Sequence, residues 1–146
     1  SLVDEVVHAW ATLTNTGDRR YSLDALTITL PIAEQAGELL SFEGRWSREF
    51  HPLRSDWLAG SLLVENRRGR TSHEAPPLLF AGKRGFDEWS GEVWGAHVAW
   101  SGNHTMFAER LPDGRRYLQA GELLGEHVDV GGHDPARRAP LRRRPA

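Results

Sequence analysis

The sequence predicts an all-β fold, an antiparallel β-sandwich, from three observations. Apolar and polar residues alternate at period two along most of the chain. Short alternating runs are separated by turn signals such as "NTGD", "SGNH" and "PDGR", at the spacing of a sandwich. The one stretch that suggests a helix, "AEQAGELLSF" at 33–42, is interrupted by Gly37 and allows one or two turns at most. At 146 residues the chain has the length of one domain.

The elements follow in order. In 6–14, Val7, Ala9, Ala11 and Leu13 share one face, and His8, Trp10, Thr12 and Thr14 the other. "NTGD" at 15–18 reads as a turn in which Asn and Gly supply positive φ. The next strand, 21–30, sends Leu26, Ile28 and Leu30 one way and Thr27 and Thr29 the other, and Pro31 is expected to end it. These two runs read together as a β-hairpin. Residues 33–56 are less regular. Further strands are predicted at 58–64, 77–82, 91–100, 103–110 and 116–123, and no internal repeat is visible.

"EVWGAHVAWSGNH", residues 92–104, invites three readings: a sugar-stacking platform, a pair of metal-binding histidines, or a sandwich strand ending at a tight turn. Trp94, Ala96, Val98 and Trp100 line one face; Val93, Gly95, His97 and Ala99 line the other. Both faces are mostly apolar, as expected of an internal strand covered on each side. Gly95 marks a bulge or a close backbone approach. Packing accounts for most of this segment.

Composition narrows the function. There is no cysteine, hence no disulfide framework and no thiol nucleophile, which fits a reducing compartment and an expected cytoplasmic location. No apolar run reaches the length of a membrane span, so no membrane partner is expected. The chain starts "SLVDEVV" without methionine and reads as a truncated fragment of something longer. Residues 1–130 carry 13 basic and 19 acidic side chains; residues 131–146 carry five arginines against one aspartate. The body (1–125) is therefore expected to fold. The Gly/Pro/Arg-rich segment 126–146 is expected to be a flexible tail. It interleaves no aromatics with its arginines, so no nucleic-acid partner is expected.

His97 and His104 lie seven apart and His73 adjoins Glu74, but none matches a metal-ligand spacing, so no metal is expected. His97 reads as a hydrogen-bonded core histidine. Neither Ser101 nor Ser72 has the context of an activated nucleophile. No Gly-rich loop leads into a helix to cradle a phosphate. "ENRRGRTSHEAPP", 65–77, concentrates donors suited to hydroxyls or carboxylates around Gly69. It is either a solvated loop whose arginines pair with local acids or an interface or sugar-facing loop. The second reading names Arg68, Arg70, Ser72, His73 and Asn103 as candidate substrate-binding or interface residues. Of the six tryptophans, Trp46, Trp57 and Trp89 are better candidates for exposure than Trp94 or Trp100.

Several blocks in register carry a resemblance: "GRWSRE", "ENRRGRTSHE" and "GEVWG…WSGN", within roughly residues 6–124. They resemble the later half of the non-catalytic N-terminal domain of bacterial α-galactosidases of glycoside hydrolase family 36. The basic segment after about Gly125 does not resemble the family. The resemblance implies that this sandwich is part of a larger β-supersandwich, followed in the parent enzyme by a catalytic (β/α)8 barrel, usually in a homo-oligomer. It implies retaining release of terminal α-galactose without metal or organic cofactor, by two aspartates that the barrel supplies. This chain would then be scaffold, oligomer interface and active-site rim for an α-galactoside substrate, and inactive alone. The alternative is a free-standing β-sandwich module that binds carbohydrate or protein.

Overall fold

The computed structural model describes residues 6–23 and 25–124, with the backbone of 128–130 and 137–139. Its strands are β1 (Ala11–Leu13), β2 (Tyr21–Leu23), β3 (Leu26–Ile32), β4 (Glu38–Arg45), β5 (Arg48–Asp56), β6 (Gly60–Asn66), β7 (Leu78–Gly82), β8 (Val93–His97), β9 (His104–Arg110), β10 (Arg116–Glu122), β11 (Val128–Val130) and β12 (Arg137–Ala139). Two four-stranded antiparallel sheets, ordered β3-β10-β9-β6 and β5-β4-β7-β8, form the predicted sandwich. None of the described residues forms a helix.

Period-two alternation sets the inward rows. From the first sheet come Met106, Ala108, Leu118 and Ala120, with Leu62, Val64 and Ile32 beside them. From the second come Leu39, Leu79, Ala81 and Ala96, joined by Val98 and Trp94. Trp57, on the crossing from β5 to β6, plugs the space between the sheets at 1% exposure. Among the described residues the chain passes between the two four-stranded sheets four times, at 33–37, 57–59, 67–77 and 98–103. The second and third sheet-to-sheet passages leave opposite ends of β6, which places 67–77 and 98–103 at one end of the sandwich.

Five of the expected strands appear close to their predicted positions, and several expectations need correction. "AEQAGELLSF" forms no helix: Ala36 N–H closes a turn on the Ala33 carbonyl, and β4 then begins. Strand β4 pairs with β5 in a long hairpin that the sequence reading missed. Alternation is masked there because β5 is an edge strand exposed along its whole length. Pro31 does not end β3 but lies within it, opposite Tyr117. Strand β3 is also an edge, where a missing N–H leaves no ladder bond unmade. Residues 6–14 and 21–30 form no hairpin with each other. β1 pairs with β12, β2 with β11 and β3 with β10. The segment expected to be a tail thus contributes backbone to two short pairings, and its other residues lie outside those described. The 15–18 turn is held by the Asn15 side chain, which accepts from Gly17 N–H at 3.0 Å.

The 91–100 strand is likewise not internal. Strand β8 spans only Val93–His97 and is an edge paired with β7. Its inward residue Ala96 is buried, while Val93 and His97 on the other face are exposed. Its apolar outer positions have a different explanation: Val93, Gly95 and Ala99 line a groove of about 650 Å³ with Val6, Val7, Leu30 and Pro31. The segment 6–8 and β3 give the partial cover that the sequence assigned to a neighbouring strand. Gly95 does mark a close approach, because a Cβ there would lie 2.7 Å from the Phe80 ring. Trp57, expected near the surface, is core, whereas Trp46 and Trp89 are exposed as expected and Trp100 is 36% exposed.

These burials predict a ranking. Trp57→Ala should destabilise the domain by roughly 3–5 kcal/mol, the usual cost of truncating a buried Trp, and Trp100→Ala by less than about 2 kcal/mol. Urea unfolding of the two variants tests the order; equal losses would contradict the placement of Trp57 as the plug.

Candidate functional site

The donor-rich loop is built outward from one buried amide. Asn66 ends β6 at 2% exposure, where the chain leaves the first sheet. Its Nδ2 donates to the Arg70 carbonyl at 2.6 Å and to the Gly102 carbonyl at 3.3 Å. Its Oδ1 accepts from Arg68 N–H at 3.3 Å and Ser72 Oγ–H at 3.1 Å. One side chain thereby satisfies four groups and ties the 67–77 passage to the 98–103 passage. Asn103 makes the reciprocal tie, its Oδ1 accepting from Gly69 N–H at 2.6 Å. Thr71 N–H donates to the Ser101 carbonyl at 2.7 Å. Gly69 turns the loop with φ of 73°, a conformation that costs glycine little.

The structure places the predicted site residues differently from one another. Arg68, Ser72 and Asn103 share this network, and Arg70 joins it through its carbonyl. The Arg70 guanidinium is exposed and forms no ion pair among the described residues. Arg68 grips Glu74 through Nε at 2.7 Å and Nη2 at 2.8 Å, a bidentate fork. Arg67 pairs with Glu65 at 2.8 Å. His73 is partly exposed and adjoins Glu74 on the rim of a groove of about 590 Å³ lined by Glu43, Gly44, Arg45, Arg48, His51 and Glu74. The facing wall is the tip of the β4–β5 hairpin, where Ser47 and Phe50 adopt φ of 66° and 56° and Trp46 projects at 83% exposure. Asn66 and this hairpin wall are the residues that sequence reasoning missed. The one available signal for Asn66 was an amide at the end of an alternating run, next to a Gly-containing loop.

The groove's electrostatics bear on its chemistry. Arg68 holds the Glu74 carboxyl below its ordinary range, first by hydrogen bonding and then by charge. A glycosidic general acid requires the opposite shift. The histidine expectation is reversed: His97 is exposed, and the core histidine is His104 at 0% exposure. Its Nδ1 lies 3.4 Å from the Gly102 carbonyl, and its Nε2 is buried without a partner. Burial pushes the His104 imidazole below the ordinary histidine range, outweighing the backbone of Gly102 and Ala75, which favours the charged form; the charge of His97 adds a smaller lowering. Among the described residues no group of three or more His, Asp or Glu side chains is placed to hold a metal ion.

The chain matches the Glycosyl hydrolase family 36 N-terminal domain over residues 3–130. It belongs to that family. The match reaches beyond the resemblance seen in the motifs and takes in β11. An α-galactosidase of Escherichia coli is 50% identical over 111 residues, which cover 76% of this chain and 16% of that enzyme. The α-galactosidase AgaA of Geobacillus stearothermophilus is 31% identical over 87 residues, 60% of this chain and 12% of the relative. Among solved structures, the α-galactosidase of Lactobacillus brevis superposes with a TM-score of 0.77 at 21% identity, covering 88% of this chain and 18% of that one. AgaA in complex with raffinose superposes at 0.75 and 23% identity, covering 87% and 18%. These solved structures share the sandwich fold, and the chain spans less than a fifth of the proteins it matches.

Asn66 and His104 carry testable consequences for stability. Asn66→Ala orphans several buried groups, each worth about 1–3 kcal/mol, so it should lower the melting temperature clearly and speed amide exchange across 67–72. Arg68→Ala breaks one exposed pair and should barely move the melting temperature. The opposite order would remove Asn66 from the centre of the network. For pH, His104 binds its proton less readily folded than unfolded. Stability is then fully present above the unfolded value of about 6.5 and falls as the pH drops through it. Melting temperature measured from pH 7.5 to 5 should show this fall, and His104→Gln should flatten it.

Proposed function

We propose that this chain is the non-catalytic part of an α-galactosidase, acting as scaffold and contact surface for a catalytic barrel that supplies the acid and the nucleophile. The observation that carries the reading is 50% identity to an α-galactosidase over three quarters of this chain but only 16% of the enzyme. The site geometry supports it. The groove's Glu74 sits in an exposed ion pair with Arg68 that lowers its pKa, the opposite of the shift that a glycosidic general acid uses. The arginine loop, the hairpin tip with Trp46 and the rim residues Arg70 and His73 lie at one end of the sandwich. They form the surface offered to the barrel, to a neighbouring subunit or to the edge of an α-galactoside site. Arg70 and Trp46 are the anchors of that contact, an exposed cation and an exposed aromatic of the kinds that dominate binding energy.

The chain alone should leave an aryl α-galactoside at the buffer rate. Turnover abolished by Glu43→Gln or Glu74→Gln would overturn the non-catalytic reading. In the whole enzyme, Arg70→Ala should weaken assembly or raise KM while leaving the isolated chain's melting temperature unchanged. An equal loss of stability in both would assign Arg70 to the domain's own fold.

A further inference from the structure

At the end of the sandwich opposite the arginine loop, two arginines close the core. Arg110 ends β9 and Arg116 begins β10, and the hairpin register sets them directly opposite each other. Both lie on the inward rows, because the next inward pair along these strands is Ala108 and Leu118, which are fully buried. The turn between them is locked by Leu111 N–H to the Arg115 carbonyl at 2.9 Å and Gly114 N–H to the Leu111 carbonyl at 3.0 Å. The locked turn keeps the two residues opposite each other in the hairpin.

Their surroundings hold too little negative charge. Arg116 is 9% exposed; its Nη1 donates to the Gly114 carbonyl at 2.7 Å, and its Nε is buried with no partner. Arg110 donates through Nη1 to the Trp57 carbonyl at 2.8 Å. Both therefore rest on peptide dipoles, and neither pairs with a carboxylate among the described residues. Glu109 is on the outward face, bonded to Gln119. Glu34, exposed on the 33–37 passage, is the one acid whose charge favours the ionised Arg116. Burial, and then the charge of Arg110, act against it. Like charges directly opposite on a sheet destabilise it, and a desolvated guanidinium seeks a counter-charge.

We propose that the Arg110–Arg116 pair is a binding site for an oxyanion of the carboxylate or phosphate class, bridged between two guanidinium forks. The planar donor array of arginine matches two oxygens at once, and the unpartnered Nε of Arg116 is the donor left over by the fold. The anion approaches over Arg110, which is only partly buried. Its source is either a free phosphate or a carboxylate borne by a polypeptide.

The test is the melting temperature of the chain titrated with inorganic phosphate, and separately with acetate as a side-chain mimic, against chloride at matched ionic strength. A saturable rise is expected with phosphate or acetate, and the anion with the lower half-saturation identifies the source. Exclusion of phosphate from the protein surface also stabilises, but it does not saturate. Arg110→Gln should raise the half-saturation about tenfold or more, as loss of one charge-assisted fork implies. Glu34→Gln, at an exposed position, should lower it. A rise that never saturates, or a half-saturation unchanged in Arg110→Gln, would overturn the site. Should Arg110→Gln not fold, the direction of the Glu34→Gln shift decides, and no shift there counts against the site.

Discussion

Each four-stranded sheet carries one apolar row that only the other sheet can cover, and burying those rows determines where every passage must cross. Met106, Ala108, Leu118 and Ala120 meet Leu39, Leu79, Ala81 and Ala96 with almost no residual exposure. At about 25 cal/mol per Å² this contact is the main favourable contribution to the fold. It also creates two open ends, where the inward rows run out and polar backbone enters the gap.

The two ends are closed by different chemistry. At one, Asn66 and His104 sit opposite each other in the β6–β9 register. Asn66 spends all its hydrogen-bonding capacity on two passages of chain. A neutral amide can be buried cheaply when fully bonded, so this end is a rigid platform for the arginine loop. At the other, two cations close the gap over Trp57, bonded only to carbonyls. The first end is held together by hydrogen bonds within the chain. The second carries two guanidiniums with no carboxylate partner among the described residues.

Alternation alone located β6, β7, β9 and β10, because each has one face in the core and one outside. It failed where strands are edges. Strand β5 is exposed on every residue, so no apolar row betrays it, and β8 carries apolar residues on both faces although only β7 pairs with it. The expected pairing of residues 6–14 with 21–30 failed for a related reason: adjacency in sequence suggested a hairpin, whereas the partners β12 and β11 lie more than a hundred residues away. The histidines were exchanged because a face is legible from spacing but its burial is not. His97 alternates like a core residue on an edge strand whose outer face is only partly covered and leaves it exposed.

What the sequence determined by itself was the all-β class, the family blocks and a donor-rich loop turning at Gly69. Those are properties of local pattern, composition and spacing, which need no third dimension. Only the tertiary structure decided that Arg68 is spent on Glu74 while Arg70 stays open to solvent, and that Asn66 rather than any arginine holds the loop. It alone set Arg110 and Arg116 face to face. Ion pairs and buried amides depend on distances across the fold, and those distances are set by how two sheets stack rather than by the order of residues along either one.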